Sequence, residues 1–158
     1  YFKDKDELYL ACIRELFDSL TEHLRNELSN ASGTKVVRLE RYFDARLRFF
    51  RENPLHNKLF CDVIVAPPAH LAQAISEIKK DFDALNISVF TELLQSARLR
   101  PDMTIQNAVE IFRLYQDFVN ARYQMEPAGV LDLEQHEKIC KRSLSILLYG
   151  VIERGGNQ

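Results

Sequence analysis

Side chains able to do chemistry are few in this chain, and their spacing does not assemble a catalytic set. The four histidines are His23, His56, His70 and His136, and none has a glutamate three residues before it. That excludes the paired Glu-x-x-His pattern with which helical bundles hold a dinuclear metal centre. Cys12, Cys61 and Cys140 are too widely spaced for a zinc module and too few for a disulfide framework. Each sits among apolar neighbours, as expected of buried free thiols in a reducing cytoplasm. His56 and Cys61 could be drawn as a thiol–imidazole pair, but the intervening Asn57-Lys58-Leu59-Phe60 has the form of a short packing helix. No nucleophile elbow, P-loop or zinc spacing occurs. The expectation is a protein that binds rather than catalyses, with neither metal nor cofactor.

Binding chemistry is marked by polar groups on otherwise apolar helix faces, because burying one unpaired costs about 1–3 kcal/mol. Gln116 falls within an apolar face that runs from Ile105 to Val119, with Asn120 at its margin. Tyr115 and Arg122 border it, Arg46 interrupts a face running from Phe43 to Phe50, and His23 borders one at Leu20–Leu24. Phe43, Phe50, Phe82, Phe112 and Tyr123 supply aromatic walls for a mostly apolar cavity. Gln116, Tyr123 and Arg122 stand foremost as ligand-binding candidates. The plainer alternative holds for each: a buried amide is commonly tied to a neighbouring backbone group, and an arginine can snorkel or pair with a nearby aspartate.

The elements that must position these groups are all helical. The chain has 158 residues, 46% hydrophobic and 28% charged, as in ordinary soluble domains. No apolar run approaches the roughly 20 residues that span a bilayer. Asp4 followed by Glu7 has the form of a capping box, and Ile13, Leu16, Leu20, Leu24 and Leu28 mark one face of the helix that follows. Asn30-Ala31-Ser32-Gly33 stops it. Thr34 caps a second helix with the stripe Val36, Leu39, Phe43, Leu47 and Phe50, ended by Asn53-Pro54. A short apolar piece, Leu55 to Val65, reaches Pro67-Pro68. From there Leu71, Ile75, Ile78, Phe82, Leu85, Val89 and Leu93 predict one long helix to about Arg98, with a bend possible at Asn86-Ile87-Ser88. Two final helices are expected over 104–125 and 131–153, joined by a loop with Pro127 and Gly129. No strand-like alternation occurs. The fold class is all-α.

The two terminal helices are apolar on too many sides. Ile105, Val109, Phe112, Val119 and Tyr123 share one face of the first; Ile111, Leu114, Phe118, Ala121 and Met125 lie roughly opposite at 100° per residue. A surface helix needs one apolar stripe, so a helix with two must bury two sides. The last helix carries a wide arc from Leu133 to Val151 that includes Ile139, Ile146 and Leu147, and His136, Ser143 and Gly150 run through it at intervals of seven. Small Ser143 and Gly150 allow close helix approach. Two such helices from each of two subunits form a four-helix seam that satisfies both faces, which predicts a homodimer.

The opening residues Tyr1-Phe2-Lys3-Asp4-Lys5-Asp6-Glu7-Leu8 resemble the end of the TetR-family DNA-binding domain, where an aromatic pair closes the recognition helix and a lysine-containing turn opens a connecting helix. Leu147-Leu148-Tyr149-Gly150 is similar to the close of the family's last dimerisation helix. The resemblance implies a ligand-responsive regulator, most often a repressor, in which a small apolar effector changes the spacing of two helix-turn-helix heads over successive major grooves, about 34–36 Å apart. It implies residues 1–8 as the remnant of a head and 9–158 as the effector-binding and dimerisation domain, on a chain that starts within a motif and without an initiator Met. Tyr1 and Lys5 would touch phosphates, and operator DNA would be read by the portion before Tyr1. A net charge of -2 and a pI near 6.1 agree that the portion present does not grip DNA alone. The competing reading is a dimeric helical adaptor with an exposed groove for protein and no small-molecule ligand.

Overall fold

The computed structural model describes residues 1–125 and 133–152, with side chains omitted for 120–125, 133–137 and 140. Six helices follow one another: α1 (Lys5–Ser29), α2 (Lys35–Glu52), α3 (Pro54–Val65), α4 (Ala72–Gln95), α5 (Ile105–Met125) and α6 (Leu133–Val151). Among the described residues the extended chain amounts to one isolated antiparallel bridge, Leu99 with Ile152. The all-α expectation holds.

The caps explain where the helices start. Asp4 accepts a hydrogen bond from the Glu7 backbone N–H at 2.9 Å, and the Glu7 carboxylate reaches back to the Lys3 N–H at 2.6 Å, one residue ahead of the cap. Thr34 Oγ1 accepts from Val37 N–H and Thr104 Oγ1 from Asn107 N–H, at 3.3 and 3.1 Å. Pro54 takes the first position of α3, where its missing donor costs nothing. Gly33, with φ of 112°, turns the link between α1 and α2 through a conformation that other residues rarely adopt. Arg38 then donates to the carbonyls of Leu28 and Ala31, satisfying the C-terminal end of α1. The expected long fourth helix is preceded by a single 3-10 turn at Ala69–Leu71 and runs without a break through Asn86-Ile87-Ser88.

The chain forms two compact units, Tyr1–Ile87 and Ser88–Gln158. In the first, α1 buries Ile13, Leu16, Phe17, Leu20, Leu24 and Leu28, the stripe read from its spacing with Phe17 added. Helix α2 does not bury the expected stripe. Its inward residues are Leu39, Tyr42, Ala45, Arg46 and Phe49, while Val36 is exposed and Phe43, Leu47 and Phe50 are half-buried. The face is turned by about one residue, or ~100°, because Tyr42 and Arg46 belong to the core rather than interrupting it. In the second unit Val89, Phe90, Leu93, Leu94, Ala108, Phe112, Leu144, Leu148 and Val151 are buried. Arg100 holds the end of α6, its N–H bonded to Val151 O and its guanidinium to Gly150 O. A cation there also suits the helix dipole.

One cysteine departs from expectation. Cys61 is buried, but Cys12 is exposed, because the first turns of α1 lie uncovered and Leu8 is exposed with it. Cys140 lies outside the described side chains.

Candidate functional site

Within the first unit the helices converge on a cluster of aromatic rings around one cation. Phe17 from α1 lies 5.9 Å from Phe60 of α3 and 5.4 Å from Phe82 of α4, ring centre to ring centre. Phe50 of α2 meets Phe60 at 4.8 Å. Into this cluster α2 sends Arg46, whose guanidinium carbon stands 5.5 Å from the centre of Phe60, 5.6 Å from Phe82 and 5.8 Å from Tyr42. All three fall within the ~6 Å over which a ring face attracts a cation. Arg46 stands four positions after Tyr42, about one helical turn, which puts phenol and guanidinium on the same face.

Arg46 is 7% exposed, and among the described residues it is the one buried side chain bearing a permanent charge. Its charge lies close enough to Tyr42 to favour the ionised phenol, against the effect of burial. Among the described residues no carboxylate forms an ion pair with it. Buried charges are ordinarily paired, since desolvating one costs several kcal/mol. The guanidinium carries five N–H donors in a planar fork, and ring faces offer no lone pairs in that plane.

Tyr42 and Cys61, beside Arg46, stay neutral. Burial pushes the Tyr42 phenol up to about 12 although Arg46 works against the shift, and its hydroxyl donates to Asn86 Oδ1. Burial, with the Asp62 charge adding to it, pushes the Cys61 thiol up to about 11, again partly offset by Arg46. Cys61 Sγ donates to Asn57 Oδ1 at 3.7 Å, so the thiol–imidazole pair with His56 does not form. A thiol held protonated is no nucleophile. His56 instead stacks on Phe49 at 5.8 Å and 11°, with its Nδ1 buried and lacking a hydrogen-bond partner among the described residues. His23 Nε2 meets Ala45 O at 3.2 Å, tying α1 to α2 as a structural histidine.

The sequence candidates therefore divide. Arg46 and Phe82 share the cluster, Phe50 joins it through Phe60, and Phe43 lies against Tyr42 at 5.5 Å. In the second unit Phe112 and Gln116, four residues apart on α5, are buried on one face, Phe112 stacking on Phe90 at 4.6 Å and 13°. Tyr115 is half-buried beside them in sequence. The side chains of Asn120, Arg122 and Tyr123 lie outside the described residues. Sequence reasoning missed Tyr42, Phe17 and Phe60. Tyr42 had a signal, its four-residue spacing from Arg46; Phe60 had none, because it reaches the cation from another helix.

A second feature belongs to α5 and α6. Leu114 (60%), Phe118 (66%), Ile139 (45%), Ile146 (68%) and Tyr149 (59%) are large apolar or aromatic side chains left exposed on the single chain. Ile111, Ser143 and Leu147 are half-buried, and a Cβ added to Gly150 would meet nothing within 4 Å. This is the face expected to form the seam, with Tyr149 in addition; the His136 side chain lies outside the described residues. Tyr1 and Lys5, the expected phosphate contacts, are exposed.

No family model matches the chain, and no curated protein matches it by sequence. Its structure is similar to that of the ketosteroid transcriptional regulator KstR2 of Mycobacterium tuberculosis, with a TM-score of 0.65 and 17% identity over 97% of this chain and 76% of that one. The chain shares the all-α, TetR-like fold of that regulator. No single helix among the described residues is long and apolar enough to cross a membrane.

Proposed function

We propose that this chain is the effector-binding and dimerisation part of a TetR-family transcriptional regulator that acts as a repressor. The observation that carries the reading is the uncovered apolar face of α5 and α6 on a chain with a regulator's fold. Exposed patches of this kind mark interaction surfaces. A two-fold partner covers the face with a copy of itself, giving a homodimer whose seam contains Ile111, Leu114, Phe118, His136, Ile139, Ser143, Ile146, Leu147 and Gly150.

The dimer gives a binding event its leverage. Two heads preceding Tyr1 would engage operator DNA, with Tyr1 and Lys5 on phosphates that position without reading sequence. Helix α1 runs from that end into the aromatic cluster of the first unit, and so couples ligand to head. An effector that binds the wrongly spaced dimer more tightly draws the population off DNA, and only that difference in affinity can do so. Arg46, Phe43, Phe50 and Phe82 are the ligand residues proposed in the first unit, and Tyr115, Gln116, Phe112, Asn120, Arg122 and Tyr123 those proposed along α5.

Native mass spectrometry tests both parts at once. The expected ion has twice the 18.4 kDa chain mass and carries a small molecule that dissociates on activation. A bare monomer at micromolar concentration would defeat the reading; a bare dimer that captures another protein would favour the adaptor.

A further inference from the structure

We propose that Arg46 is the anchor for the carboxylate of an apolar monoacid, so that the effector of this regulator is an organic acid rather than a neutral hydrophobe. The inference rests on the effector-binding reading and adds the chemistry of the ligand's head. A permanent cation lies in a nest of aromatic rings, and among the described residues no carboxylate pairs with it. Tyr42 and Cys61 supply no counter-ion, since both hold their protons far above neutral pH; the Asp83 and Asp62 charges act on these two groups, but neither carboxylate forms an ion pair with Arg46 among the described residues.

Tyr42 also flanks the fork. Its proton goes to Asn86 and its ring lies under the guanidinium, 5.8 Å from ring centre to guanidinium carbon. The guanidinium donors suit a planar two-oxygen anion, which an arginine fork binds in bidentate fashion. One buried cation balances one negative charge; a phosphate monoester would bring nearly two, and among the described residues no second buried cation answers it. Phe43 and Phe50, half-buried on the same helix, offer apolar surface for the body of the ligand.

The test compares decanoate, laurate and palmitate with the matching primary alcohols, titrated calorimetrically into the whole chain. The expected result is at least about tenfold tighter binding of the best acid than of its alcohol. Arg46→Met is expected to bind that alcohol as the parent protein does and to lose the preference. Arg46→Lys should keep part of it, having charge but no fork. Without ligand, Arg46→Met is expected to melt no lower than the parent, because it removes a charge that lacks a partner. A fall of several degrees would mean the rings exist to hold the arginine itself, and would overturn the proposal. Equal affinity for acids and alcohols overturns it too, while leaving the effector-binding reading intact. If neither class binds, the proposal fails; the broader reading then falls with it only where native mass spectra of the purified dimer also show no small molecule.

Discussion

The Arg46 cluster and the outer face of α5 and α6 break the rule of apolar inside and polar outside in opposite directions. In the first unit a charged group is enclosed by rings, with Phe60 1% exposed. On the terminal helices the rings and aliphatics are left outside, with Phe118 at 66% and Ile146 at 68%. On the readings proposed above, an anion answers the first anomaly and a second subunit the other. The hydrophobic effect acts on area irrespective of which chain covers it, so periodicity can reveal a face that needs covering without revealing what covers it.

The largest test of the contrast is Phe118→Glu. On a solvated face the change would be nearly neutral. In a two-fold seam it buries an unpaired carboxylate in each subunit, at about 3–5 kcal/mol apiece. The expected outcome is a folded monomer by sedimentation equilibrium, with parent-like helical circular dichroism; a dimer of unchanged affinity would remove Phe118 from the seam. Next in size is Phe60→Ala, which takes a ring from the core and is expected to cost about 3–5 kcal/mol of unfolding free energy in urea. Here the loss should appear at every protein concentration and should leave the dimer constant near its original value. If Phe60→Ala proved neutral, the cluster would be loosely packed and its rings could not hold Arg46 in one place.

How far these regions can be read from sequence follows from which partner each face meets. The α1 stripe was legible because Ile13, Leu16, Leu20, Leu24 and Leu28 pack inside the unit, with Thr21 the one polar side chain buried among them. The starts at Asp4, Thr34 and Thr104 were legible because capping is local chemistry. Helix α2 was misjudged by one residue. It carries two overlapping stripes, and the choice between them is made by rings from α1, α3 and α4, which spacing within α2 cannot sense. Arg46 was visible as an interruption, but not as the centre of a cage. The outer face of α5 was legible as surplus apolar area, since Leu114 and Phe118 lie opposite the buried Ala108 and Phe112.

Gly150 offers the smallest effect and the sharpest decision, because its sign depends on what covers α6. In a helix interior, alanine is more favourable than glycine by about 0.8–1.0 kcal/mol. Gly150 lies in the last turn of α6, and on the single chain a Cβ there meets nothing within 4 Å, so Gly150→Ala should then stabilise by a fraction of that amount. Where another helix crosses at Gly150 and Ser143, the same Cβ enters the crossing and holds the two backbones apart. Ser143 does not compete for the space, because its hydroxyl is turned to Ile139 O at 2.8 Å within its own helix. The expected outcome is therefore a divided one. Gly150→Ala should raise the melting temperature at dilutions where the protein is monomeric, and should weaken dimerisation measured by sedimentation. A rise of equal size at all concentrations would mean that water, and not a second subunit, faces Gly150, and the seam would have to be moved toward Leu114 and Phe118.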